Sequence, residues 1–218
     1  MNPIPIALVP LALLGYVVIG RPWQLTWGAT PAEVARALPG DTLIPRPTFN
    51  ATRAITIAEP PAAVFPWLVQ VGVTRGGWYS YDLLDNLGRP SARTIVPELQ
   101  TIAPGDILAM SPDGKQGMQV HSLSRPSWMV WSTPGDTSWA WQLDEIEPGS
   151  TRVVTRIRSR IRWSPMSIAF SALLEVVDIW MLRKMLFTIR DRAETAGATP
   201  RHDRAPQTAP PLHGDQPA

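Results

Sequence analysis

Before its last twenty residues the chain holds one histidine, His121; the others are His202 and His213. Any Ser-His-Asp chemistry would need His121 as its base. Strand alternation groups it with Gln119 and Leu123, a parity that can face an interior, yet a strand has only two faces. A hydrogen-bonded or solvent-facing histidine is the plainer reading. Absence of cysteine removes thiolate nucleophiles, disulfides and thiolate metal sites. No second histidine or close carboxylate spacing supports a metal site in the body of the chain. Asp82 and Asp85, three apart, suit an acid–base pair, but helix capping explains them without chemistry. Arg75-Gly76-Gly77 lacks the pattern of a phosphate loop and reads as a turn. Beside it stand Trp78, Tyr79 and Tyr81, either the gate of an apolar pocket oriented by two hydroxyls or plain core packing. These residues give no catalytic assignment and imply no metal or cofactor.

The other excess is tryptophan. Ten occur, and all but Trp23 and Trp27 lie between Trp67 and Trp180. Bulky aromatics in that number suit a large core or an aromatic-lined cavity. Trp139, Trp141 and Leu143 share one strand face, which makes the two indoles candidates for a cavity wall or for core. A formal charge of +2 is too small to point to nucleic acid. Hydrophobic residues make up 44% of the 218, sufficient for one domain with appendages.

The positioning elements follow from period and punctuation. Ala51 to Ala58 alternates as a strand. After Pro60-Pro61, Val64, Trp67, Leu68 and Val71 recur at helical spacing, and Asp82 can cap a second short helix. Five further strands are predicted over Asp106–Met110, Gly117–Leu123, Trp128–Ser132, Thr137–Ile146 and Thr151–Trp163. The turns between them are short, so neighbours run antiparallel. In the last strand Arg156, Arg158, Arg160 and Arg162 share one face and Ile157 the other. A final helix is expected from a cap at Ser164 to Glu194, its first half apolar all round except for Glu175 and Asp178. Thirty residues span about 45 Å, against roughly 30 Å for six or seven strands. That mismatch predicts either a break or an overhang of Met166 to Leu173.

In this order the chain resembles the START-like or SRPBCC superfamily, and within it the polyketide cyclase/dehydrase-like branch. The residues carrying the resemblance are Ile55-Thr-Ile-Ala-Glu-Pro-Pro-Ala-Ala-Val-Phe-Pro-Trp-Leu68, Gly76-Gly-Trp-Tyr-Ser-Tyr-Asp82, Pro104-Gly-Asp106 and Trp139-Ala-Trp-Gln-Leu143 before Thr151-Arg-Val. The resemblance implies an α+β helix-grip fold, a curved antiparallel sheet around a long C-terminal helix. It also implies a cavity between the two for lipids, steroids, polyketides or other apolar small molecules. On that footing Trp67, Trp78, Tyr79, Tyr81, His121, Trp139, Trp141, Ile157, Val177 and Met181 are the expected lining.

Domain organisation completes the expectation. Residues 1–20 carry no charged side chain and are long enough, at about 30 Å, to span a bilayer. They predict a single-pass membrane anchor, with Arg21 and Arg36 placing the rest on the cytoplasmic side. Residues 21–49 form a connector, where Thr30-Pro31-Ala32-Glu33 reads as a capped helix start. The START-like domain covers 50–195, and 196–218 is a Pro-rich disordered tail. If the domain is tethered, the arginine stripe can meet anionic head groups, at about 1 kcal/mol per residue; a solvated sheet face is the alternative. The function expected is the binding of an apolar small molecule or lipid. The alternatives are a cyclase or dehydratase with Tyr79, Tyr81 or His121 as proton donor, and a membrane-associated interaction module without ligand.

Overall fold

The computed structural model describes residues 11, 14–160 and 165–198, the last with side chains from Glu175 onward. Six antiparallel strands form one sheet: β1 (Phe49–Ile57), β2 (Ile107–Ala109), β3 (Gly117–Ser124), β4 (Trp128–Thr133), β5 (Thr137–Glu147) and β6 (Ser150–Ser159). Their spatial order is β1-β6-β5-β4-β3-β2, so only β1 is out of sequence order, returning to pair with β6 along Phe49↔Ser159 to Ile57↔Thr151. The helices are α1 (Arg21–Leu25), α2 (Pro31–Ala35), α3 (Pro61–Val69), α4 (Asp82–Asp85) and α5 (Pro165–Ala198). This is the helix-grip arrangement, a curved antiparallel sheet with a long C-terminal helix.

Strand alternation sorts the side chains. Ile55, Ile57, Val153, Trp131, Trp141, Leu143 and Met129 point to the inner face and pack against α3 and the second half of α5. From α5 this core takes Leu182, Met185, Leu186, Ile189 and Ala193, spaced three and four apart as one helical stripe. The helix is unbroken for 34 residues, about 51 Å, so the expected break does not occur. Met166 to Leu173 and the Ser164 cap lie outside the described side chains.

The connector covers the outer face. Thr30 caps α2 through a reciprocal box with Glu33, as its residue types require. Leu38 then packs on Ala54, Val130, Ala140 and Val154. Arg156, 3% exposed, holds this layer down. Its guanidinium donates to Thr52 Oγ1, to the carbonyls of Glu33, Val34 and Arg36, and at 2.7 Å to Asp41. Arg158 reaches the carbonyl of Ile44 and stands 3.6 Å from Asp41, while Arg152 pairs with Glu33 at 2.7 Å. Arg156 and Arg158 thus find partners within the chain, Arg160 is exposed, and Arg162 lies outside the described residues.

The single-pass membrane expectation is corrected. Among the described residues no helix is long and apolar enough to cross a membrane. Residues 1–10, 12 and 13 are outside the description, and the end of the proposed span runs on helically into α1. Tyr16–Gly20 makes a π-helical turn into α1, Tyr16 accepts from Gln24 at 2.8 Å, and Arg21 forms a bidentate pair with Glu175 of α5.

Candidate functional site

A cavity of about 630 Å³ opens beneath the middle turns of α5. Its floor is the edge of the inner face where β1 begins and β6 ends: Phe49, Ile157, Ser159, Thr137 and Trp139. Val177, Met181, Leu182 and Met185 form the roof, and the loop from Trp78 to Asp85, with Met110, closes the side. The remaining inner face is solid. Trp141 and Trp131 fill it, with ring centroids 5.1 Å apart, and Trp139 sits 5.1 Å from each as the last ring before the void.

The side wall is held by a short relay. The Trp78 amide donates to Asn86 Oδ1 at 2.9 Å, and Asn86 Nδ2 donates to Asp82 Oδ1 at 2.7 Å. Its indole N–H donates to the Ala109 carbonyl at 3.1 Å. So anchored, the ring stacks on Trp139 with centroids 6.2 Å apart and planes 12° from parallel. Gly77 makes the approach possible: its φ is +82°, and a Cβ there would meet Ser91 Cβ at 2.8 Å. Asp82 therefore orders a loop rather than capping α4, whose N-cap position is Tyr81.

The charged groups lining it are few and, among the described residues, all acidic. Glu175 accepts both bonds from Arg21, and Asp178 accepts from Arg53, a β1 side chain only 1% exposed. Burial pushes the Asp178 carboxyl up against the pull of Arg53. Burial likewise raises Asp85, beside Ser80. Among the described residues Asp85 has no ion-pair partner.

Of the ten residues named from the sequence, Trp78, Trp139, Ile157, Val177 and Met181 border this cavity and the other five do not. Trp67 and Trp141 are enclosed in the core. Tyr79 is wholly buried beneath Arg192, whose guanidinium lies 5.0 Å from the ring, and burial pushes its phenol up to about 12. It holds a left-handed φ of 59°, which turns it away from its neighbour Trp78 and into the α3 side of the core. Tyr81 is exposed. His121 is exposed on the outer side with Gln119, as alternation from the inward Met118 and Val120 requires, and the bulge between Val120 and Ser122 instead turns Leu123 to the inner face. There it borders a second hollow with Leu43, Ile44 and Ser132 and bonds Ser122 Oγ at 2.9 Å. The three expected proton donors therefore do not converge.

Sequence reasoning missed Asp85, Glu175 and Asp178 as lining. A signal existed: Arg53 is the one charged residue of β1, and a charge buried there needs a counter-charge, which two acids three apart on a helix can supply.

The fold and the void define a helix-grip domain with an apolar cavity under its C-terminal helix. No protein-family model matches the chain, nor does any curated protein. Solved structures resemble it in fold alone. A polyketide-cyclase-like protein from Corynebacterium glutamicum is 15% identical, with 70% of this chain and 96% of that chain covered and a TM-score of 0.45. An AHSA1-like protein from Aeromonas hydrophila is also 15% identical, with coverages of 71% and 99% and a TM-score of 0.33. A conserved Enterococcus faecalis protein of unknown function is 14% identical, with coverages of 74% and 85% and a TM-score of 0.41.

Proposed function

We propose that the chain binds an apolar small molecule or lipid chain in the cavity between the sheet and α5. The observation that carries this reading is a void of about 630 Å³ walled by Trp78, Trp139, Phe49, Ile157, Met181 and Met185 in a molecule otherwise packed with aromatics. Its size falls in the range of small-molecule pockets. A guest burying about 300 Å² of apolar surface gains roughly 7 kcal/mol gross at 25 cal/mol per Å², before the cost of association is subtracted. Partition of that kind needs no catalytic group. The proton-donor alternative has less support, since Tyr79 lies in the core and His121 on the opposite face.

The test is a titration of the intact chain with 1-ethylnaphthalene followed by calorimetry, with Met181→Trp and Ile157→Phe as variants that fill the void. Saturable binding to the parent, lost in folded filling variants, is expected. Equal binding to parent and filling variants, or none to the parent, would overturn the proposal.

A further inference from the structure

Six polar residues line the cavity: Ser80, Asp85, Thr137, Ser159, Glu175 and Asp178. Three are hydroxyls and three are carboxyls; among the described residues Lys, Arg and His are absent from the lining. The two cations nearest the acids lie behind them. Arg21 takes both oxygens of Glu175, and Arg53 takes Asp178 from within β1. Three carboxyls against two guanidiniums leave one without a counter-charge among the described residues, and it is Asp85. Asp85 ends α4 and lines the cavity beside the loop that carries Trp78.

This combination is selective. A ligand carboxylate or phosphate would enter a site without a cation to receive it and with three acids around it, a like-charge arrangement that costs affinity. An ammonium group meets the opposite conditions. It can donate to Asp85, whose carboxyl has no ion-pair partner among the described residues.

We infer that the guest of this cavity is an apolar molecule carrying a cationic amine, with Asp85 receiving the ammonium and the Trp78–Trp139 pair receiving the hydrocarbon body. The inference rests on the proposed binding function and narrows its ligand class. Glu175 and Asp178 contribute negative potential while remaining tied to their arginines, so Asp85 alone forms the new ion pair.

Three probes on one scaffold test this: 1-ethylnaphthalene, 2-(1-naphthyl)ethylamine and 1-naphthylacetate, titrated calorimetrically into the intact chain at neutral pH. The amine is expected to bind about tenfold more tightly than the hydrocarbon, the equivalent of one charge-assisted hydrogen bond net of desolvation. The acid is expected to bind more weakly than either. Asp85→Asn, nearly isosteric and checked for folding by circular dichroism, should bring the amine down to the affinity of the hydrocarbon. Hydrocarbon binding equal to or tighter than amine binding would overturn the amine assignment and leave the cavity function standing. An amine preference that survives Asp85→Asn would overturn the role of Asp85. If none of the three probes binds, the cavity function fails and this inference fails with it.

Discussion

Arg53 is the residue on which the site's geometry turns. Its Nε donates to the Gln24 carbonyl at 2.8 Å and its Nη1 to Asp178, so one buried guanidinium joins β1, α1 and α5 at the edge of the cavity. Removing one partner of a buried pair strands the other charge, which is far costlier than replacing both. Asp178→Ala should therefore lower stability by about 3 kcal/mol in urea denaturation, while the double variant Arg53→Met with Asp178→Leu should recover most of that loss. Equal stability of Asp178→Ala and the parent would show that Arg53 is satisfied otherwise. The pair was legible only in part. Glu175 and Asp178 stand out as the two interruptions in an apolar run, but their partners are more than a hundred residues away, and spacing along a helix does not name a distant strand. Tyr79 was legible only as a choice between pocket gate and core packing, and it takes the second. Its left-handed backbone sends a residue adjacent to Trp78 into a different part of the core.

At the scale of elements, the connector behaves as a third layer. Arg156 donates five hydrogen bonds into it and to β1, from a planar fork that lysine cannot reproduce. Arg156→Lys is expected to cost about 2–4 kcal/mol, because several buried acceptors lose their donor at once. A change below about 0.5 kcal/mol in chemical denaturation would contradict it. Glu33 links the same layer to acid. Hydrogen bonds from Arg152 above all, and from the Thr30 amide, hold its carboxyl down at about 2, against 4.5 when free. A carboxyl lowered in the folded state contributes stability above its unfolded value that is lost as pH falls toward the folded one. Melting temperature should accordingly fall between about pH 4.5 and pH 2, and Glu33→Gln should be less stable than the parent at neutral pH but lose less across that window. The capping box was readable from Thr30 and Glu33, since capping is local. That the box would seat beneath Arg152 was not, because an alternating basic strand looks the same whether solvent or a connector covers it. The β3 bulge escaped for a related reason: alternation assumes one residue per step, and the extra residue parts Leu123, now on the inner face, from Gln119 and His121 without leaving a mark in composition.

For the whole molecule, the succession of strands and helices, the antiparallel run from β2 to β6 and the long C-terminal helix followed from period and turn residues, both short-range properties, whereas the pairing of β1 with β6 did not. Nor did the cavity. Whether aromatics fill a space or line it depends on where the sheet runs out beneath α5, and Trp139 and Trp141, two residues apart on one strand face, fall on either side of that boundary. A guest should therefore be felt by particular indoles. With nitrogen-15 labelling the chain presents ten indole N–H resonances, one per tryptophan. On adding 1-ethylnaphthalene, we expect the largest and saturable shifts at Trp78 and Trp139, assigned through Trp78→Phe and Trp139→Phe, with Trp67 nearly unmoved. Shifts confined to the exposed Trp23 and Trp180, or an unchanged spectrum at saturating probe, would contradict a ligand-binding cavity under the C-terminal helix.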